Sequence, residues 1–378
     1  MVRRIGALVL GLAFIAAAAS AVHAIGTPAQ EPLWAYGFAT AAAYDEPAPP
    51  PQNPPTRTLR TTEPVENQLR ARHLEGSPLA FSLLQTRDAH NVVDWFPGDH
   101  PSPLPDVIAH GPKALANGNG CGSCHRPNGR GRSENAQPAG LPYAYIVRQL
   151  QEFRLGLRRS ADWRKENTPT MIRLASMMSD EEIVAAAAYF AGIEWKTPFA
   201  RVVETEFVPK TRLAGNAFVP LERSRALAEP IGGRIIEVSN DDRNIFDGEP
   251  GNPRIGWTTY VPPGSVAKGR EIVTTGGVMR AGSEVVPKTT ACAGCHGPDL
   301  MGVAEAPPIA GRSPSYIARQ LFDIQQGTRK GPGVELMKVV VAKLNREDMV
   351  AISAYVASKF PPDPIEVEPE EPEQSASR

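Results

Sequence analysis

Four cysteines lie in two copies of one short pattern, and each copy ends in a histidine. In a Cys-x-x-Cys-His run, the two thiols can form thioether bonds to the vinyl groups of a haem, and the adjacent histidine can bind its iron. The sequence therefore predicts two covalently attached haem c groups, each with its iron. The residues are Cys121, Cys124 and His125 in the first copy and Cys292, Cys295 and His296 in the second.

Two other kinds of site can use a Cys-x-x-Cys pair, namely a redox-active disulfide and half of a zinc site. A zinc site needs a second pair of ligands nearby, and neither copy supplies one. A thioredoxin-like motif needs a strand–helix context and has no required histidine. Two intact copies that use all four cysteines of the chain favour haem over both alternatives.

The second axial ligand of each iron is expected downstream of its motif. Apart from the two motif histidines, no histidine follows either motif, so methionine is the natural candidate. Met171 lies eight residues before Ser179, and Met337 lies eight residues before the matching Asn345. This shared spacing predicts Met171 and Met337 as ligands, although a methionine in a helical region is ordinarily core filler.

Further residues near the motifs have less specific interpretations. Met177 and Met178 are expected to fill the core, since their repeat counterparts are Lys343 and Leu344. Three upstream histidines are alternative ligands, but they lie where the ligand loop does not reach. They are His90, His100 and His110.

Two arginines and two tyrosines recur at equivalent positions of predicted helices. Arg148 and Arg319 could pair with haem carboxylates or form a solvated helix face. Tyr145 and Tyr316 could line the haem edge or pack under the helix. The sequence leaves these alternatives open.

An internal repeat positions both motifs. Residues 145–150 (YIVRQL) recur as 316–321 (YIARQL), and the two cysteine motifs have the same offset of 171 residues. Apolar residues at helical spacing follow each of these segments, and Ser179 and Asn345 each precede a further helix as N-caps. The fold is therefore predicted to be mainly α, with two homologous helical domains in tandem.

Composition and the repeat together divide the chain into six segments. Short β-prone runs such as Ile235–Val238 separate the two copies, and proline is concentrated near both ends. The segments are a signal peptide (1–24), a Pro-rich disordered leader (25–64), an N-terminal extension with the first repeat (65–196), an interdomain linker that is extended or β (197–263), the second repeat (264–360) and an acidic disordered tail (361–378).

Overall charge and composition limit the classes of partner. Forty Lys and Arg balance 41 Asp and Glu, so the chain lacks the basic footprint of a nucleic-acid binder. The first 24 residues have the layout of a secretory signal, with an uncleaved anchor as the alternative. This predicts a periplasmic protein that contacts a membrane only if the signal is retained. Aromatic residues make up only 7%, so two haem macrocycles would fill much of the core.

The paired motifs, the Tyr-Ile-x-Arg-Gln-Leu helices and the capped Ala-Tyr helices resemble the di-haem class I c-type cytochromes of the cytochrome c₄ type. The resemblance covers both repeats. It implies two helical cytochrome c domains whose low-spin haems pass electrons between redox partner proteins, without a catalytic residue. Carried over by position, the residues that hold the haems are Cys121, Cys124, His125 and Met171 in the first domain and Cys292, Cys295, His296 and Met337 in the second.

One feature of that family differs between the repeats. Members carry Pro-x-Leu-Ala-Gly after the haem motif, where a backbone carbonyl oxygen accepts a hydrogen bond from the N–H of the axial histidine. Residues 307–311 (PPIAG) match well, whereas residues 136–140 (AQPAG) have a shifted proline, so that the carbonyl of Ala136 would have to serve. The competing functions are a di-haem peroxidase, a thiosulfate dehydrogenase and a cytochrome subunit of a periplasmic dehydrogenase.

Overall fold

The computed structural model describes residues 59–360 except 62, 163, 215–216, 222–225 and 241–250. The predicted signal peptide, most of the predicted leader and the predicted tail lie outside the described residues. No helix in the described ranges is both long enough and apolar enough to cross a bilayer.

A small N-terminal extension precedes the first repeat. Its strands pair antiparallel, with Arg72 opposite Phe81. Trp95 and Phe96 are buried with Leu74 in a small core of their own. The elements are α1 (Val65–Leu69), β1 (Arg72–His73), β2 (Ala80–Phe81) and α2 (Leu83–Thr86).

The first repeat is helical, as predicted. Its last helix begins after Ser179, whose side chain accepts from the Glu182 backbone N–H while the Glu182 side chain accepts from the Ser179 N–H. This capping box satisfies two backbone donors that a helix start leaves unpaired. The helices are α3 (Asp106–His110), α4 (Cys121–His125), α5 (Tyr143–Arg154), α6 (Asn167–Met177) and α7 (Asp180–Ala191).

The segment between the repeats forms short strands, in agreement with its β-prone runs. Three of them form a sheet whose central strand contains Trp257. The strand that contains Ala200 pairs parallel with it, Ala200 opposite Trp257, and the strand that contains Glu237 pairs antiparallel with it. The strands are β3 (Ala200–Glu204), β4 (Phe207–Pro209), β5 (Thr211–Ala214), β6 (Ala217–Pro220), β7 (Ala228–Pro230), β8 (Ile236–Ser239) and β9 (Trp257–Val261).

The second repeat has the same helical order with an added hairpin. A Cβ on Gly269 would lie 1.9 Å from the carbonyl oxygen of Ala351, so glycine is required where the first and last helices of this repeat cross. Asn345 caps the last helix. The elements are α8 (Ser265–Thr275), β10 (Val278–Ala281), β11 (Glu284–Pro287), α9 (Ala293–His296), α10 (Pro314–Gln325), α11 (Glu335–Val341) and α12 (Arg346–Ser358).

Candidate functional site

Each cysteine–histidine motif lies on the wall of its own crevice. The first crevice contains about 1580 Å³ of empty space and the second about 1250 Å³, part of it open to solvent. Pockets of roughly 300–1,000 Å³ hold cofactor-sized ligands, so each crevice has room for one. The predicted residues line them as Cys121, Cys124, His125 and Met171 in the first and Cys292, Cys295, His296 and Met337 in the second.

Both motif histidines are held in the same way. The Nδ1 atom of His125 lies 2.9 Å from the carbonyl oxygen of Ala136, and that of His296 lies 2.8 Å from the carbonyl oxygen of Pro307. Because a neutral imidazole donates through one nitrogen, this contact leaves Nε2 with a lone pair for a metal. Burial lowers the pKa of both histidines, which favours that neutral form. The first repeat keeps the contact despite its shifted proline, because the acceptor is a backbone carbonyl.

The environment of the cysteines argues against thiol redox chemistry. Burial raises the pKa of Cys121 to about 12 and that of Cys292 to about 11. Redox-active Cys-x-x-Cys pairs depend on the opposite shift, since the thiolate is the reactive form. Apolar walls, two thiols on each wall and a histidine with a free nitrogen instead fit a covalently attached haem. In the described part of the chain, no cluster of three or more His, Cys, Asp or Glu side chains could hold a metal ion.

Methionine sulfur reaches both crevices at equivalent positions. Met171 on α6 lines the first crevice, and Met337 on α11 lines the second. Met178 also lines the first crevice, but its counterpart Leu344 supplies no sulfur to the second. Met178 is buried as expected, whereas the expectation of a core position for Met177 is wrong, because this residue at the end of α6 is 37% exposed.

The three upstream histidines are engaged elsewhere. His90 Nδ1 lies 2.9 Å from the Gly118 carbonyl oxygen, and His110 Nδ1 lies 3.0 Å from the carbonyl oxygen of His90. His100 contacts the side chains of Asp94 and Tyr189. Within the described residues, none of the three lines either crevice.

The two crevices share one wall, in which an arginine of the first repeat contacts the second repeat. Arg158 donates to the Oε1 atom of Gln149 in its own repeat at 2.8 Å. It also donates to the Tyr316 hydroxyl at 2.6 Å and to Gln320 Oε1 at 3.0 Å, both in the other repeat. Tyr145 and Tyr316 line both crevices.

Arg329 makes the equivalent contacts in the opposite direction. It donates to Gln320 Oε1 at 2.9 Å in its own repeat, and to Tyr145 and Gln149 of the first repeat at 3.0 and 2.9 Å. Burial alone would raise the pKa of Tyr145, but the guanidinium groups of Arg329 and Arg158 lower it. The shared wall is therefore an approximately twofold network that we call the arginine–tyrosine ring, composed of Tyr145, Gln149, Arg158, Tyr316, Gln320 and Arg329.

The ring was not predicted from the sequence, although every member recurs at the offset of 171. Tyr145 and Tyr316 both line the crevices, which agrees with the alternative that they lie at the haem edge. Arg148 instead forms an ion pair with Glu305 of the other repeat. Arg319 is buried and donates to the Ser133 carbonyl oxygen at 2.8 Å, so the alternative of a solvated helix face is wrong for it.

Comparison with known proteins agrees with this geometry. A model of the cytochrome c family matches residues 109–193 and 279–359, one segment around each motif. Cytochrome c4 of Pseudomonas aeruginosa is 23% identical over 240 residues, which cover 62% of this chain and 82% of that protein. The thiosulfate dehydrogenase electron acceptor of Stutzerimonas stutzeri is 27% identical over 250 residues, covering 65% and 80%. Cytochrome c-554(548) of Halomonas halodenitrificans is 34% identical over 73 residues, covering 19% and 88%.

The chain therefore belongs to the cytochrome c family. The two matched segments make it a di-haem member that is similar to cytochrome c₄, with two covalently attached haem c groups. The resemblance seen in the sequence and the predicted class of fold, two tandem cytochrome c domains, are both confirmed.

Proposed function

We propose that this protein is a periplasmic di-haem electron carrier. In this proposal, His125 and Met171 bind the iron of the first domain, and His296 and Met337 bind that of the second. The observation that carries the proposal is that each crevice has a histidine and a methionine of the same repeat on its wall, at equivalent positions in both copies. Each haem supplies a one-electron couple when bound.

Two filled axial positions favour electron transfer over catalysis. A histidine nitrogen and a thioether sulfur leave no position for substrate on the iron, and buried ligands keep reorganisation on oxidation small. The peroxidase and thiosulfate dehydrogenase alternatives each require a different ligand or an open position. In the described residues, the crevices have no cysteine beyond the two of each motif.

The name of one relative supports a class of redox partner. The Stutzerimonas stutzeri relative is named as an electron acceptor of thiosulfate dehydrogenase. We infer that this chain likewise accepts electrons from a periplasmic dehydrogenase and passes them to a second redox protein. The predicted signal at residues 1–24 supports the periplasmic location.

The ligand assignment is tested with the haem-loaded protein. A pyridine haemochrome assay should give two haems per chain, and the ferric protein should show the weak far-red band of thioether sulfur bound to iron. Met171→Ala and Met337→Ala should each remove about half of this band and let cyanide bind one iron. Met178→Leu, which imitates the second repeat, is the matched control and should leave the band intact. If both alanine variants keep the full band, the ligand assignment is wrong.

The choice between carrier and enzyme is tested by turnover. The reduced protein should form when a thiosulfate dehydrogenase and thiosulfate are added together, and not with thiosulfate alone. Multiple turnovers with thiosulfate or peroxide in the absence of another enzyme would contradict the carrier proposal. A mitochondrial-type cytochrome serves as the background control.

A further inference from the structure

One buried arginine in the second crevice has unpaired hydrogen-bond donors. Arg312 lies just before α10 and is 4% exposed. Its Nη1 atom donates to the carbonyl oxygen of Gln137, in the first repeat, at 2.7 Å. The guanidinium stacks on Trp195, 3.9 Å from the ring centroid. Stacking holds the plane of the guanidinium and leaves its in-plane N–H groups directed outward.

The remaining N–H groups of Arg312 have nothing to bind. Among the described residues, neither Nε nor Nη2 has a hydrogen-bond partner, and no carboxylate pairs with this side chain. Burial lowers the pKa of Arg312 to about 9, so the group is still a cation at neutral pH. A buried cation with open donors is costly unless an anion completes it. Arg312 is also on the wall of the second crevice.

The first repeat has no arginine at the matching position. Its residue at the offset of 171 is Leu141, which lines both crevices. The fold of the repeat therefore does not require an arginine at this position. Arg312 lines the second crevice and not the first. The two arginines on the wall of the first crevice are paired, Arg132 with Glu134 at 3.6 Å and Arg158 within the arginine–tyrosine ring.

We propose that Arg312 binds a carboxylate of the haem in the second crevice through Nε and Nη2. A guanidinium presents two parallel N–H groups that match a carboxylate, which makes this the natural anion for the open donors. Because Nη1 stays on Gln137, Arg312 also ties the position of that haem to the first domain. Arg312 is thus a positioning residue for one haem only, and this inference rests on the haem occupancy of the proposed function.

A nearby positive charge also affects the redox equilibrium of that haem. Reduction removes one positive charge from the iron centre, so a buried cation beside it favours the reduced form. The Arg312 charge should therefore raise the potential of the second haem relative to a chain with leucine there. The first haem, whose wall has Leu141, should be much less affected.

The test compares three variants of the haem-loaded protein. Arg312→Leu installs the residue of the first repeat, and Arg312→Lys keeps the charge without the fork. Arg130→Leu is the matched control, because Arg130 also stacks on Trp195, at 5.4 Å, but donates to Thr197 and Pro198 and is not among the residues that line a crevice. Each variant is followed by reductive titration and by the propionate bending band in resonance Raman spectra.

Arg312→Leu should lower the potential of one haem. We expect a roughly tenfold change in the equilibrium ratio of reduced to oxidised haem, which is 59 mV for a one-electron couple. The same substitution should also shift the propionate band, whereas Arg312→Lys should shift the band but keep most of the potential. If Arg312→Leu behaves like Arg130→Leu in both measurements, water fills the open donors and the proposal is wrong. Haemochrome content separates this result from a failure of the proposed function, since that failure would give fewer than two haems in the unmodified protein.

Discussion

The carboxylate of Glu237, in the middle of β8, gives the most quantitative prediction. It is fully buried, and it accepts from the Ser313 hydroxyl at 2.8 and 3.0 Å, the Ser315 hydroxyl at 2.8 Å and the Ser315 backbone N–H at 2.9 Å. These donors lie at the start of α10, which lines the second crevice. The linker sheet thus holds the end of a haem-lining helix through one acidic side chain.

Glu237→Ala would remove the acceptor of three buried donors, of which only the Ser315 hydroxyl has another acceptor nearby outside the serine pair, the Ser133 carbonyl oxygen at 3.4 Å. At about 1–3 kcal/mol for each buried group that loses its partner, we expect the free energy of unfolding to fall by about 3–5 kcal/mol. Glu237→Gln keeps one carbonyl oxygen, and serine hydroxyls can rotate to accept, so its cost should be roughly 1–2 kcal/mol. The measurement is urea unfolding of the haem-loaded protein followed by circular dichroism.

Glu204 on β3 supplies the matched control. Its Oε1 atom accepts from the Val266 backbone N–H at 2.7 Å, at the start of α8, but this carboxylate is exposed. Glu204→Ala should therefore cost only about 0.5–1 kcal/mol. If Glu237→Ala costs no more than Glu204→Ala, the buried contact does not hold α10 and the reasoning is refuted.

The pH dependence of the same variants provides a second check. Burial raises the pKa of Glu237, against the hydrogen bonds from Ser315 and Ser313 that lower it. The folded protein therefore holds this proton at a higher pH than the unfolded chain does. The free energy of unfolding should fall as pH rises from the ordinary glutamate pKa of about 4.3 to the raised value. Glu237→Gln should lack this component of the slope.

Two further predictions concern contacts of the first repeat. Arg158→Met removes three hydrogen bonds of the ring and should lower the free energy of unfolding, measured in urea, by roughly 2–4 kcal/mol. The control Arg148→Met removes only a more exposed ion pair with Glu305 and should cost less than about 1 kcal/mol. Equal costs would contradict a structural role for the ring. His100 is buried, which lowers its pKa, but the hydrogen bond to Asp94 prevails and raises it. The stabilisation should be complete below the unfolded pKa of about 6.5 and be lost as pH rises through the raised value, so limited proteolysis of the extension should become faster with pH in the wild type and not in His100→Gln.

Local patterns predicted the helices because their determinants are close in sequence. Ser179 and Asn345 each cap a helix with an acidic residue three positions later, and the capping contacts are those seen in the structure. The equal spacing of Met171 and Met337 before these caps also placed both methionines on crevice walls. Such short-range signals do not depend on how the two repeats meet.

Long-range contacts were not predictable in the same way. The recurrence of Arg158 and Arg329 was visible, but its meaning depends on the two repeats packing across an approximate twofold axis. The burial of Glu237 has no local signal either, because its partners lie more than seventy positions away along the chain. For Arg312, the difference from Leu141 was visible in the aligned repeats, but its chemical meaning depends on burial with two unpaired donors, Nε and Nη2, which only the structure shows.

Positions that recur between the repeats and positions that differ have separate structural roles. The ring residues recur, so each repeat contributes the same three residue types to the contact between the repeats. Two equivalent surfaces therefore face each other, as in an isologous dimer. Identical crevices on either side of that contact would give an electron no preference between them. The walls are not identical. Arg312 lines the second crevice where the first repeat has Leu141, and Leu344 lines it where the first repeat has Met178. The two haem sites therefore differ at wall positions outside the ring, while the ring, whose tyrosines line both crevices, keeps the sites adjacent.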